Sequence, residues 1–166
     1  GIMTSDFTPS RLRRARQIID PVLEAAGRDA ASFPLINFWA FHVKDSRADA
    51  EAEARLYLMA RGTIWEPYIH DVVSPDEAAE VARHYPAFVK AYRKTPDIDG
   101  PPRELVDKIV AGGVTACTVS EIDAQIERFR DMRAAGATGL ALCLYHDPAA
   151  AIRVIGEHIV PALADS

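Results

Sequence analysis

Residues 105–163 read LVDKIVAGGVTACTVSEIDAQIERFRDMRAAGATGLALCLYHDPAAAIRVIGEHIVPAL, and this stretch decides the fold class. Leu105, Val106, Ile109 and Val110 share one helical face, which predicts a helix from Arg103 to Val110 that Gly112 and Gly113 stop. Val114 to Cys117 is short and strand-like. Thr118 stands at capping-box spacing before Glu121, and Ile122, Ile126, Phe129 and Met132 then recur at three and four residues until Gly136 ends the helix. Gly139 to Tyr145 (GLALCLY) is apolar without alternation, as expected of a parallel strand buried on both faces. His146 and Asp147 mark its polar exit. Pro148 opens a last helix, whose apolar face carries Ile152, Ile155 and Ile159 up to Pro161. Helix, short extended piece, capped helix, strand and helix follow one another in the order an α/β barrel requires.

The same rhythm runs upstream. Gly1 to Thr4 is short and apolar, and Thr8 with Pro9 opens a helix with Leu12, Ala15, Ile18, Ile19, Val22 and Leu23 inward and Gly27 at its end. Pro21 inside that run predicts a kink or local break, because it removes a backbone donor and crowds the preceding turn. Phe33 to Val43 (FPLINFWAFHV), rich in aromatic and branched residues, is the strongest strand and belongs in the core. Ser46 caps an alanine-rich helix through Arg61, closed by Gly62. Residues 63–99 hold Pro67, Pro75, Pro86 and Pro96 among short helical pieces, the clearest being Ser74 to Arg83, and read as a helical insertion.

A chain of 166 residues with 49% apolar content is enough for a single domain, 1–166, built on one core. No apolar run approaches membrane-spanning length, and the first residues lack the features of a secretory signal, so the expected setting is cytoplasmic, with no membrane partner. The two cysteines, Cys117 and Cys143, have neither disulfide-framework nor zinc-site spacing and read as buried thiols. A net charge of −5 argues against nucleic acid as a partner. There is no Walker loop, no Gly-x-Gly-x-x-Gly fingerprint and no Gly-x-Ser-x-Gly elbow, which removes the main support for P-loop, Rossmann and serine-hydrolase readings. Small molecules, as substrate, or protein partners remain.

Several segments, taken in order, resemble the luciferase-like monooxygenase family of flavin- or deazaflavin-dependent barrels, which includes bacterial luciferase and methylenetetrahydromethanopterin reductase. GIMTS is similar to a family strand, AAGRD at 25–29 to a helix ending, and Phe33 to Val43 followed by Lys44 and Asp45 to the penultimate strand. ADAEAEAR at 48–55 is similar to the helix after it, and DAQIERFRDMRAAGATGLALCLYHDPAAAIRVIGEHIVPAL to the closing helix, last strand and final helix. The resemblance implies an oxidoreductase, monooxygenase or reductase, that uses FMN or a deazaflavin. A complete barrel takes about 250 residues, whereas about three core strands are legible here. The expected fold is therefore the C-terminal portion of a TIM (β/α)8 barrel, with three parallel strands, helices and the insertion. Such a portion leaves open sheet edges, which predicts a homo-oligomer or a missing N-terminal barrel portion. The alternative is a non-catalytic α/β module that self-associates and binds a partner or small ligand without cofactor.

Chemistry on a barrel belongs at the C-terminal ends of its strands. Those positions are Thr4, Ser5 and Asp6 after the first strand, Phe41, His42 and Lys44 after the second, and Tyr145, His146 and Asp147 after the third. The cofactor or substrate-pocket candidates are Thr4, Ser5, Asp6, Trp39, His42, Tyr145 and His146; no catalytic residue is carried over. Each has a plainer role beside the functional one. His42 either contacts a substrate or ring, or packs with its nitrogens bonded. Trp39 either stacks on an isoalloxazine or fills the core. Asp147 either fixes the tautomer of His146 or caps the helix at Pro148. Ser5 and Asp6 either bind a hydroxyl or form the turn before Thr8. Arg11, Arg13, Arg14 and Arg16 are either a phosphate site at a helix start or a solvated face. His70, His84 and His158 lack paired metal-ligand spacing.

Overall fold

The computed structural model describes residues 1–164. The fold is α/β, with four parallel strands: β1 (Ile2–Ser5), β2 (Leu35–Val43), β3 (Thr115–Cys117) and β4 (Gly139–Cys143). β2 is central. Phe38 aligns with Ser5 of β1 and with Ala141 of β4, so those two strands flank β2, while β3 joins it only at Phe41–Val43. The helices are α1 (Pro9–Ala25), α2 (Arg47–Tyr57), α3 (Pro75–Arg83), α4 (Tyr85–Ala91), α5 (Arg103–Gly113), α6 (Ile122–Ala134), α7 (Pro148–Val154) and α8 (Val160–Ala164). Residues 63–99 form short helical turns, α3 and α4, as the proline-punctuated sequence suggests.

Alternation along β2 sorts the interior into two cores. Leu35, Trp39 and Phe41 pack with Leu12 of α1 and with Ile122, Ile126, Phe129 and Met132 of α6. Ala40 packs on the other face with Ala50 and Ala54 of α2 and with Leu105, Ile109 and Val110 of α5. Caps fix the helix starts. Thr8, Ser46 and Asp147 each accept a backbone N–H from three residues on, and Ser74 with Glu77 forms a full capping box, as does Thr118 with Glu121. Among the described residues no helix is long and apolar enough to cross a membrane.

Several local expectations are corrected. α1 continues through Pro21 to Ala25; Pro21 and Gln17 are both exposed, so the carbonyl that loses its donor faces water. α2 ends at Tyr57, and a tighter turn, Leu58–Ala60, precedes an extended Arg61. α5 runs on through Gly112 to Gly113. Glycine serves close approach there, because a Cβ on Gly112 would collide with Val72 and one on Gly113 with the Thr63 side chain. β4 is half-buried along its whole length, since no described strand pairs with its outer edge. Ile152 is 60% exposed whereas Ile159 is buried. The π-helical turn at Ile155–Ile159 between them shifts the helical phase that a regular repeat would have kept.

Candidate functional site

The C-terminal ends of β2 and β4 converge on one carboxylate. Ala50, Glu53, Ala54 and Tyr57 form one stripe of α2, and Glu53 is the acidic residue on that inward face. Its Oε2 accepts from His42 Nδ1 at 2.8 Å; its Oε1 accepts from Lys44 Nζ at 2.9 Å and from His146 Nδ1 at 3.0 Å. The His146 amide adds a longer bond at 3.3 Å, and Lys44 also donates to the His146 carbonyl at 3.0 Å. One side chain thereby ties the end of β2 to the exit of β4.

The protonation states follow from these bonds. Burial would push the Glu53 carboxyl up, but the bonds from His42 and Lys44 outweigh it and hold it at about 2. Burial holds the His42 imidazole below its usual 6.5, against the pull of Glu53. An ionised carboxylate only accepts, so the hydrogen of neutral His42 sits on Nδ1 and Nε2 keeps a lone pair. That Nε2 is buried without a partner, as is the Tyr145 hydroxyl. Burial also pushes the Tyr145 phenol well up. The rings stack in series: His42 on Tyr145 at 4.8 Å, and Tyr145 on Tyr57 at 4.0 Å.

Asp6, at the end of β1, joins the same end of the sheet through Arg61. It is buried with a left-handed backbone (φ 58°), and its Oδ2 accepts from the Gly62 amide at 2.8 Å and from Ser5 Oγ at 3.1 Å. Burial pushes its carboxyl up, opposed by the Arg61 guanidinium 3.5 Å away. Arg61 also lies over Phe38 at 5.5 Å and Tyr145 at 5.9 Å.

Of the sequence candidates, Asp6, His42, Tyr145 and His146 come together here, with Ser5 bonded to Asp6. Thr4 lies lower, its hydroxyl directed at the Ile36 carbonyl and the Asn37 side chain. Trp39 packs on the opposite face of β2, where Nε1 donates to Thr115 Oγ1 at 3.0 Å. Asp147 caps α7 through the Ala150 amide. Arg11 is committed to Asp71 at 2.8 Å and to the Tyr68 ring, and Arg16 to the carbonyls of Ala30, Phe33 and Gly136. Glu53, Tyr57 and Arg61 were not singled out in the sequence. The one available signal was an acidic residue between Ala50 and Ala54 on the inward stripe of a helix.

A separate cleft of about 850 Å³ opens beside β1, between α1 and the turn at Tyr68–Asp71, with Ile2, Phe7, Ile18 and Tyr68 among its walls. Burial pushes the Cys117 thiol up to about 11, which leaves it unreactive near neutrality. Among the described residues no three His, Cys, Asp or Glu side chains are grouped to hold a metal ion. No protein-family model matches the chain, and no curated protein matches it.

Proposed function

We propose that this chain is the C-terminal wall of a flavin- or deazaflavin-dependent oxidoreductase of the luciferase-like type, its parallel sheet forming part of a (β/α)8 barrel. The observation that carries the reading is the convergence of Asp6, His42 and His146, from the ends of three adjacent parallel strands, with Glu53 and Arg61 between them. In open or closed α/β sheets that end is where ligands bind.

The residues fit such a ring in kind. Its edges carry hydrogen-bond donors and acceptors, and His42 Nε2 and Tyr145 Oη are two buried polar atoms that lack partners. When bound, the group would supply hydride donation or acceptance. The chain's own share is narrower. Glu53 fixes the His42 tautomer, so Nε2 can accept a hydrogen bond or a proton at a set position. The ring stack of Tyr57, Tyr145 and His42 keeps water from that nitrogen. Arg61 beside Asp6 places a cation at the same end of the sheet.

Fluorescence titration of FMN and of a deazaflavin against the purified chain tests the reading. Micromolar binding that weakens at least tenfold in His42→Ala supports it; no binding of either ring removes standalone catalysis. A second reading, a module that binds a partner or small ligand without cofactor, is favoured by the cleft beside β1, which lies apart from the strand-end cluster.

A further inference from the structure

The charges of α1 run against its own dipole. Negative groups stabilise the start of a helix and positive groups its end, yet the first turn of α1 holds no acid and its last turn no base. Arg11, Arg13, Arg14 and Arg16 all lie in its first half, and Asp20 and Glu24 in its second. Part of this pattern is answered within the chain: Arg11 pairs with Asp71, and Arg16 with Asp20 and with the carbonyls of Ala30, Phe33 and Gly136. Arg13, Arg14 and Glu24 are left over. All three are exposed, and none has an ion-pair partner among the described residues. Between them the outer side of the helix is apolar. Leu12 and Leu23 are buried, whereas Ile18 and Val22 are 64% and 66% exposed, with Pro21 and Ala25 exposed beside them. At 3.6 residues per turn, Arg14, Ile18, Pro21, Val22 and Ala25 share one stripe about 100° wide, and Arg13 and Glu24 stand together on one flank of it.

We infer that α1 docks antiparallel against α1 of a second copy, about a two-fold axis beside Ile18. Arg14 and Glu24 are separated by about 15 Å along the helix, and the midpoint between them falls next to Ile18. Turning a second copy over about that midpoint sets Arg14 of each copy beside Glu24 of the other, with Arg13 on the same flank. It also lays Ile18 against its own copy, with Pro21 and Val22 on either side. A two-fold contact is isologous, so both sets of ion pairs form together. The arginine-rich start of each helix then lies along the acidic end of the other, and the two dipoles oppose. A parallel pairing would instead set Arg14 against Arg14 and Glu24 against Glu24. The contact leaves the sheet, the helices on both of its faces and the strand-end cluster as they are, and it does not depend on the flavin reading. One helix from each copy makes an interface smaller than the usual size of about 800 Å² per partner, which sets the affinity in the micromolar range.

Sedimentation equilibrium from about 5 to about 500 μM protein tests the contact. The mass should rise from 18.2 kDa to twice that value across the range. Ile18→Glu with Val22→Glu should stay monomeric throughout; both positions are exposed, so the far-ultraviolet circular dichroism should match the parent. Arg13→Glu with Arg14→Glu should weaken self-association about tenfold, and so should Glu24→Arg alone. An equimolar mixture of those two variants should associate as tightly as the parent, because each supplies the charge that the other lacks. Ile18→Cys should form a disulfide-linked dimer on mild oxidation, which the parent, with only Cys117 and Cys143, should not. A parent that stays monomeric over the whole range, a dimer that survives the Ile18 and Val22 changes, or charge variants that fail to complement each other overturns the inference.

Discussion

The two faces of β2 are built by the same alternation and end differently. Towards α1 and α6, Leu35, Trp39 and Phe41 meet Leu12, Phe129 and Met132 in a closed apolar layer. Towards α2, the parity that buries Ala40 also buries His42, and there the apolar layer stops at two carboxylates, two histidines, a lysine and an arginine. Burying these groups costs stability unless each is bonded, and three polar atoms of the cluster, His42 Nε2, Arg61 Nε and Tyr145 Oη, are left without partners. Both faces hold the fold through apolar cores; the α2 face also carries a charged cluster that costs part of that stability.

Phe129→Ala sharpens the contrast most. Its ring is fully buried in the apolar layer, so truncation should cost about 3–5 kcal/mol by chemical denaturation, with the strand-end cluster unaffected in kind. A loss under about 1 kcal/mol would mean this layer is not the stabilising one. Glu53→Ala should cost less, about 1–3 kcal/mol, by stripping the acceptor from His42, Lys44 and His146. It should also free the His42 tautomer, seen as loss of the Nδ1–H form in nitrogen-15 spectra near pH 7. An unchanged tautomer would show that Glu53 does not set it.

Acid should reach the strand-end cluster as well as Asp71, Glu77 and Glu121, whose hydrogen-bond partners hold them below the usual carboxylate range. The folded chain holds His42 below its usual 6.5 and Glu53 at about 2 rather than 4.5, so the unfolded chain binds more protons at both. Stability from His42 is complete above 6.5 and falls as the pH drops below it; that from Glu53 is complete above 4.5 and is lost towards 2. Asp6, pushed above 3.8, works in the opposite sense and offsets part of the loss. Denaturation midpoints at pH 7.5, 5.5 and 3.5 should therefore decline, and Glu53→Gln should flatten the fall below 4.5. Midpoints that rise on acidification would contradict the assignment.

The apolar face was largely legible in the sequence and the polar one only in part. Periodicity and caps located α6 within a few residues because Thr118, Glu121 and Gly136 act locally, on their own backbone. The same rules misplaced the end of α5, because Gly112 and Gly113 are set by Val72 and Thr63 from a distant segment. They also treated β4 as covered on both faces, which depends on pairing that no local pattern encodes. His42 and His146 could be read from strand ends. Their meeting on Glu53 could not, since it needs α2 to pack across the strand ends, 93 residues in sequence from His146.

His146→Ala should have the smallest effect, and its size tests how the cluster divides its work. The imidazole is 66% exposed, and Glu53 would still accept from His42 and Lys44, so the stability change should stay within about 0.5 kcal/mol. The main-chain bonds from this exit, the His146 amide to Glu53 and Lys44 to the His146 carbonyl, survive the substitution. The His42 tautomer should therefore stay as in the parent. A loss approaching that of Glu53→Ala would instead place the exposed histidine, rather than the buried carboxylate, at the centre of the coupling between β2 and β4.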